Sequence, residues 1–171
     1  MVNWKEVVEI LEPKQGKDIR TSKIAIWDAY EGTPYEEFVS KHKNSNFDEA
    51  SIGWSNYYPD KDFDRKITNE YAEKLGLKKV HRSWISRVYP GYIVPWHYDV
   101  EDDHPEFFED GITRYSIFIT DSEPGQILII GDKYHFNYKC GDIIKWDKCT
   151  LWHCGVNTAF KSKYTFHLIG F

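Results

Sequence analysis

At 171 residues, with 41% hydrophobic and 29% charged side chains, the chain can close one core without disulfide help and is neither disordered nor fibrous in composition. A formal net charge of -5 argues against a sequence-independent grip on phosphate backbones, so no nucleic-acid partner is expected. No apolar run is long enough to cross a bilayer, and residues 1–17 carry acids inside their apolar stretch, unlike a signal peptide. Cys140, Cys149 and Cys154 form no C-x-x-C pair and read as reduced thiols, so a cytoplasmic protein with no membrane partner is expected.

No repeat, low-complexity tract or linker interrupts the sequence, which predicts a single domain over 1–171. The region 1–80 reads as helix and strand cover. Trp4, Val7, Val8 and Leu11 fall at helical spacing, with Asn3 as N-cap and Pro13 closing the segment. KIAIW (23–27) and SIGWSNYY (51–58) read as strands, and Thr33-Pro34-Tyr35-Glu36 is a capping-box pattern ahead of Phe38 and Val39. Asp64 caps a third helix through Ile67, Tyr71 and Leu75, which Gly76 ends. From residue 81 the pattern becomes strand after strand: SWISRVY, YIVPWHYDV, TRYSIFIT, GQILII, YHFNY, DIIKWD, TLWHC and KYTFHLIGF. Turns at Pro90-Gly91, Glu123-Pro124-Gly125, Gly131-Asp132 and Gly141-Asp142 separate several of them. The expected fold is α+β but mainly β, a jelly roll over 81–171 with the N-terminal helices packed on one face.

The chemistry begins at His97-Tyr98-Asp99. Residues two apart on a strand share a face, so an imidazole and a carboxylate converge there. His153 would complete a set of two histidines and one carboxylate, which favours iron(II) and leaves coordination positions open. The competing reading of an H-x-D alone is a surface histidine paired with an aspartate. His42, His81 and His104 lack a ligand-like setting. On the last strand Lys163 and Thr165 share a face, and a cation beside a hydroxyl suits the far carboxylate of 2-oxoglutarate. Alternation alone leaves solvent as the other option for that face. Tyr164, Phe166 and Leu168 form the opposite, apolar row, suited to packing under helices. Arg114 and Ser116 alternate with Tyr115 and Ile117, and Ser86 lies between Trp84 and Val88. Arg114 either meets an anion inside a barrel or pairs at the surface with an acid of the 101–110 loop.

The segments YPGYIVPWHYD (89–99), RYSIFIT (114–120) and GDIIKWD (141–147), with His153, Asn157 and Lys163, resemble the iron(II)/2-oxoglutarate-dependent oxygenases, and within them the aspartyl/asparaginyl β-hydroxylase-like branch. The resemblance covers roughly the last half of the chain. It implies a double-stranded β-helix of cupin-like form, with iron at His97, Asp99 and His153 and 2-oxoglutarate chelating that iron. Oxygen would be the second co-substrate, and an unactivated C–H bond of a peptide or amino-acid-like substrate would be hydroxylated. It also implies Lys163 and Thr165 at the far carboxylate, and Arg114, Ser116 and Ser86 as further co-substrate contacts. Three positions bear on the branch. Lys163 stands where it usually carries arginine, which removes the fork geometry. Ser116 stands where a histidine is common. Asp99 is present although some members lack it, and it argues against the related halogenases.

The substrate, small molecule or peptide, is less legible. The acidic loop 100–111 either draws a basic or amide-bearing substrate or is simply solvated, and Asn56, Tyr57 and Tyr58 are candidates to line the entrance. Two other classes stay open on the same ligands: a cupin-like metal-binding domain without redox chemistry, and a non-redox metalloenzyme.

Overall fold

The structure, a computed structural model, describes residues 2–14, 17–25, 49–99, 111–146 and 148–171. Among these lie helices α1 (Trp4–Leu11) and α2 (Lys66–Leu75). The strands are β1 (Lys17–Ala25), β2 (Glu49–Tyr57), β3 (Val80–Val88), β4 (Tyr92–His97) and β5 (Thr113–Phe118). They continue with β6 (Gln126–Ile130), β7 (Lys133–His135), β8 (Ile143–Lys145), β9 (His153–Asn157) and β10 (Lys163–Gly170). The expected helix after Thr33, the end of the KIAIW strand and most of the acidic loop 100–111 lie outside the described residues.

Strand pairing divides the sheet into two leaves. The larger runs β2-β3-β10-β5-β8, with β1 beyond β2, and the smaller runs β4-β9-β6-β7. From β3 onward the chain passes back and forth between leaves, which is the connectivity of a double-stranded β-helix, a mainly β jelly roll of cupin type. The leaves meet at β2. Trp54–Tyr57 pair antiparallel with β3, and Ile52 bridges in parallel to Ile93 of β4.

The period of two sorts the large leaf into a helix-covered face and an inner face. Tyr57, Ile85, Ile117, Ile119, Tyr164, Phe166 and Leu168 join Trp4, Val7, Leu11, Phe63, Ile67 and Tyr71 in one buried cluster. The apolar row of the last strand thus packs under the helices as its alternation predicts. The Phe166 ring meets those of Trp4, Phe63 and Tyr71 at 5.6, 6.1 and 5.8 Å. Polar ties fix the cover in place. Trp4 Nε1 donates to Tyr71 Oη at 3.0 Å, Thr68 and Ser83 hydroxyls share a bond of 2.9 Å, and Arg87 Nη2 donates to Glu12 at 2.8 Å.

Element ends follow local chemistry. Asn3 Oδ1 accepts from Glu6 N at the start of α1, and Asp64 Oδ1 accepts from Lys66 N at 2.8 Å at the start of α2. Gly76, at φ 69°, closes α2. β7 ends at His135, short of the YHFNY segment, because Asn137 turns into the left-handed region at φ 55°. β9 begins at His153 and not Thr150. The Leu151 carbonyl is taken by the His153 ring, and the Trp152 carbonyl accepts from Gly131 N. No described helix is long and apolar enough to cross a membrane.

Candidate metal centre

The inner face of the large leaf is a grid fixed by register. One rung holds Val88 and Lys163; the next holds Asn56, Ser86, Thr165 and Phe118. A third holds Trp84, His167, Ser116 and Ile144, and a fourth Arg82, Ile169 and Arg114. Successive rungs stand about 7 Å apart, two residues along a strand. Across the barrel, the inner face of the small leaf places Val94, Gly155 and Leu128 in one row and His97, His153 and Ile130 in another.

His97 and His153 are register partners with ring centroids 4.0 Å apart. A register shift between Val94 and His97 re-aims the first ring after the regular part of β4. His97 Nδ1 lies 2.8 Å from the Pro95 carbonyl and His153 Nδ1 lies 2.9 Å from the Leu151 carbonyl. A carbonyl only accepts, so each Nδ1 carries its hydrogen, and each Nε2 keeps a lone pair to offer a metal. Asp99 follows two residues after His97, and ligand atoms of His97, Asp99 and His153 all lie within 4.8 Å of one another. Burial, with the charges of His97 and Arg114, holds His153 well below its usual protonation range, so the ring stays in its ligating, neutral form.

Arg114 shares this end. Its Nη1 donates to Asp99 Oδ2, and its side chain is 4% exposed. The guanidinium lies 5.1 Å from the Trp84 ring and 3.9 Å from that of Trp146. Of the two sequence alternatives for Arg114, the buried one holds; its acid is Asp99. Burial lowers its pKa while Asp99 opposes the shift, and its Nε has no hydrogen-bond partner among the described residues. Trp146 also meets the His153 ring edge-on at 4.8 Å.

Lys163 marks the other end. It is 2% exposed, and its Nζ donates to the Ile127 carbonyl at 3.1 Å, with no carboxylate paired to it among the described residues. Burial pushes its pKa down to about 8. Gly155 leaves room beside it: a methyl there would stand 3.7 Å from Nζ. Thr165 is buried one rung closer to the metal end. Solvent exposure, the alternative for this face, is therefore excluded.

Ser86 Oγ accepts from Trp84 Nε1 at 3.0 Å and donates to Asn56 Oδ1 at 2.8 Å. Ser116 Oγ accepts from Trp146 Nε1 at 2.9 Å and bonds His167 Nδ1 at 3.0 Å. Both serines face the barrel, each already held by neighbours. Tyr57 does not line an entrance. Strand alternation turns Asn56 inward and Tyr57 outward, where it is fully buried under the helices and donates to the Lys14 carbonyl. His167 was open to discovery from the sequence, since it continues the period of Lys163 and Thr165. Trp84 and Trp146 carried no such signal, because their role depends on which strands lie side by side.

No protein-family model matches this sequence, and no curated protein matches it either. Solved structures do. An oxidoreductase of the 2OG-Fe(II) oxygenase family from Burkholderia pseudomallei superposes with a TM-score of 0.51 at 12% identity, over 99% of this chain and 91% of that one. A predicted oxalate decarboxylase from Thermotoga maritima gives 0.41 at 12% identity, over 91% of this chain and 96% of that one. A cupin domain from Bordetella pertussis gives 0.37 at 11% identity, over 53% of this chain and 86% of that one. The likeness to the oxygenase-family structure, together with the strand pairing, shows that the chain has the double-stranded β-helix fold. That fold places a candidate metal site in the barrel.

Proposed function

We propose that this chain is an iron(II)- and 2-oxoglutarate-dependent oxygenase that hydroxylates an unactivated C–H bond of a peptide or amino-acid-like substrate. The observation that carries the reading is Lys163, a buried ammonium with no acid paired to it among the described residues, on the inner face of the leaf opposite two imidazoles and a carboxylate. Leaving such a charge unpaired is costly, so its natural complement is an anion that enters the barrel. The donor set fits the implied groups. Two neutral imidazoles and one carboxylate suit iron(II) with sites left open, and the Arg114 Nε, unbonded among the described residues, and the Lys163 ammonium are donors left for a carboxylate-bearing ligand. The sequence resemblance supports the aspartyl/asparaginyl β-hydroxylase-like branch as the nearest relation, and the three unpaired cysteines suit a reducing, cytoplasmic setting.

His97, Asp99 and His153 would hold the iron, and Lys163 with Thr165 would take the far carboxylate of 2-oxoglutarate. Iron, 2-oxoglutarate and oxygen together supply oxidative decarboxylation of the co-substrate and hydroxylation of the substrate. The chain's own contribution is placement. Arg114 orients one Asp99 oxygen and leaves the other for the metal, the two backbone carbonyls fix the imidazole tautomers, and the indoles of Trp84 and Trp146 keep water from the guanidinium.

Succinate release from 2-oxoglutarate by the purified, Fe(II)-supplied protein tests the reading, with loss of release expected in His97→Ala and His153→Ala. Metal binding with no response to 2-oxoglutarate would instead mark a non-redox metalloenzyme, and no metal binding a cupin-like binding domain.

A further inference from the structure

Two hydrogen-bond relays cross the inner face of the large leaf, and each begins at a tryptophan. An indole N–H can only donate. Trp146 Nε1 therefore gives its hydrogen to Ser116 Oγ, and among the described residues the acceptor in reach of the serine's own hydrogen is His167 Nδ1, 3.0 Å away. His167 is buried and stacks on Trp84 with centroids 4.8 Å apart. Burial, then the charges of Arg114, Lys163 and His97, keeps it neutral. A neutral imidazole that accepts at Nδ1 carries its hydrogen at Nε2.

The second relay has the same grammar. Trp84 Nε1 donates to Ser86 Oγ, which donates to Asn56 Oδ1, so the Asn56 amide nitrogen keeps its hydrogens for something else. Both end groups face the barrel between Lys163 and the metal ligands. Asn56 lies one rung from Lys163 toward the metal end, and His167 lies four residues from Lys163 along β10, about 13 Å.

We infer that His167 Nε2–H and Asn56 Nδ2–H are the neutral donors that grip the oxygens of a 2-oxo acid bound between Lys163 and the metal, each fixed in its donor form by a tryptophan–serine relay. His167 serves the metal end and Asn56 the middle of the ligand. Ser116 and Ser86 are positioning residues, one step behind the contact. The inference rests on the co-substrate reading above, and its test separates the two.

The first measurement needs no ligand. Nitrogen NMR of the metal-free protein should show His167 with a pyridine-like Nδ1 and a pyrrole-like Nε2, and Ser116→Ala should raise the share of the other tautomer. A wild-type hydrogen on Nδ1 would overturn the relay. The second is calorimetric titration of 2-oxoglutarate into anaerobic Fe(II)-loaded protein. His167→Phe and Asn56→Leu should each weaken binding about tenfold, the scale of losing a hydrogen bond to a charged group. His167→Gln puts an amide N–H near the position of Nε2 and should stay within about threefold of wild type. Iron affinity should be unchanged throughout, which a merely structural role for His167 would not give. Wild-type affinity in His167→Phe would overturn the donor assignment, as would a His167→Gln protein as weak as His167→Phe. If wild-type protein binds iron but not 2-oxoglutarate, the co-substrate reading and both donor contacts fall together, while the tautomer spectrum still decides the relay.

Discussion

Arg114 reaches from β5 in the large leaf to Asp99 just beyond β4 in the small one, so the carboxylate offered to a metal is oriented from the opposite leaf. The guanidinium is the more deeply buried partner, with its side chain 4% exposed against 23% for Asp99.

This asymmetry predicts unequal damage. Asp99→Ala strands a buried cation and should cost about 3–5 kcal/mol, whereas Arg114→Met leaves a half-wetted carboxylate and should cost less, about 1–2 kcal/mol. Urea unfolding of the metal-free variants checks the order. Equal losses would show that Arg114 escapes to solvent when Asp99 is removed.

Lys163→Met should make the empty protein more stable and unable to respond to 2-oxoglutarate. A lysine pushed from 10.5 to about 8 carries a penalty of about 3 kcal/mol in the folded state at neutral pH. That penalty is present in full below about 8 and fades as pH rises toward 10.5, because the unfolded chain holds its proton longer. Melting temperature with and without 2-oxoglutarate, in metal-loaded protein, reads both effects. A destabilised Lys163→Met would mean that the ammonium already has a good partner.

Acid should weaken the metal-free fold. His153 and His167 both sit well below the ordinary 6.5 when folded, so the unfolded chain binds protons first as pH falls. Their contribution is full above about 6.5 and declines below it, at up to about 1.4 kcal/mol per pH unit for each ring. Urea midpoints at pH 7.5 and 5.5 measure this. Replacing His167 with Gln should reduce the slope, and an unchanged slope would contradict the assignment.

Phe166→Ala should cost about 3–5 kcal/mol, because a fully buried ring that meets three other aromatic rings leaves a hole under both helices. Denaturant titration tests it. A loss under 1 kcal/mol would mean the helices settle into the gap.

Much of this site was legible from period and spacing. The H-x-D pair, a distant histidine and the alternation of Lys163 with Tyr164 need only the geometry of a strand. Tyr57 escaped because a run of aromatics on one strand does not declare which face is inner until neighbouring strands are known. Trp84 and Trp146 escaped for a related reason. Their bonds to Ser86 and Ser116 depend on side-chain placement within the folded sheet, and the stacking of both on Arg114 exists only once β3, β5 and β8 lie in one leaf. The end of β7 was missed because Asn137 leaves the extended region without a glycine to announce it.

The two leaves join along one strand, as pages join along a binding. β2 is the spine, stitched to β3 on one side and bridged to β4 on the other, while β7 and β8 form the fore-edge, each only three residues long. A hollow of about 80 Å³ already separates them, walled by His135, Ile144 and Trp146 among others. Trp146 walls that hollow and also meets the imidazole of His153, so the gap between the two short strands and the candidate metal site share one indole.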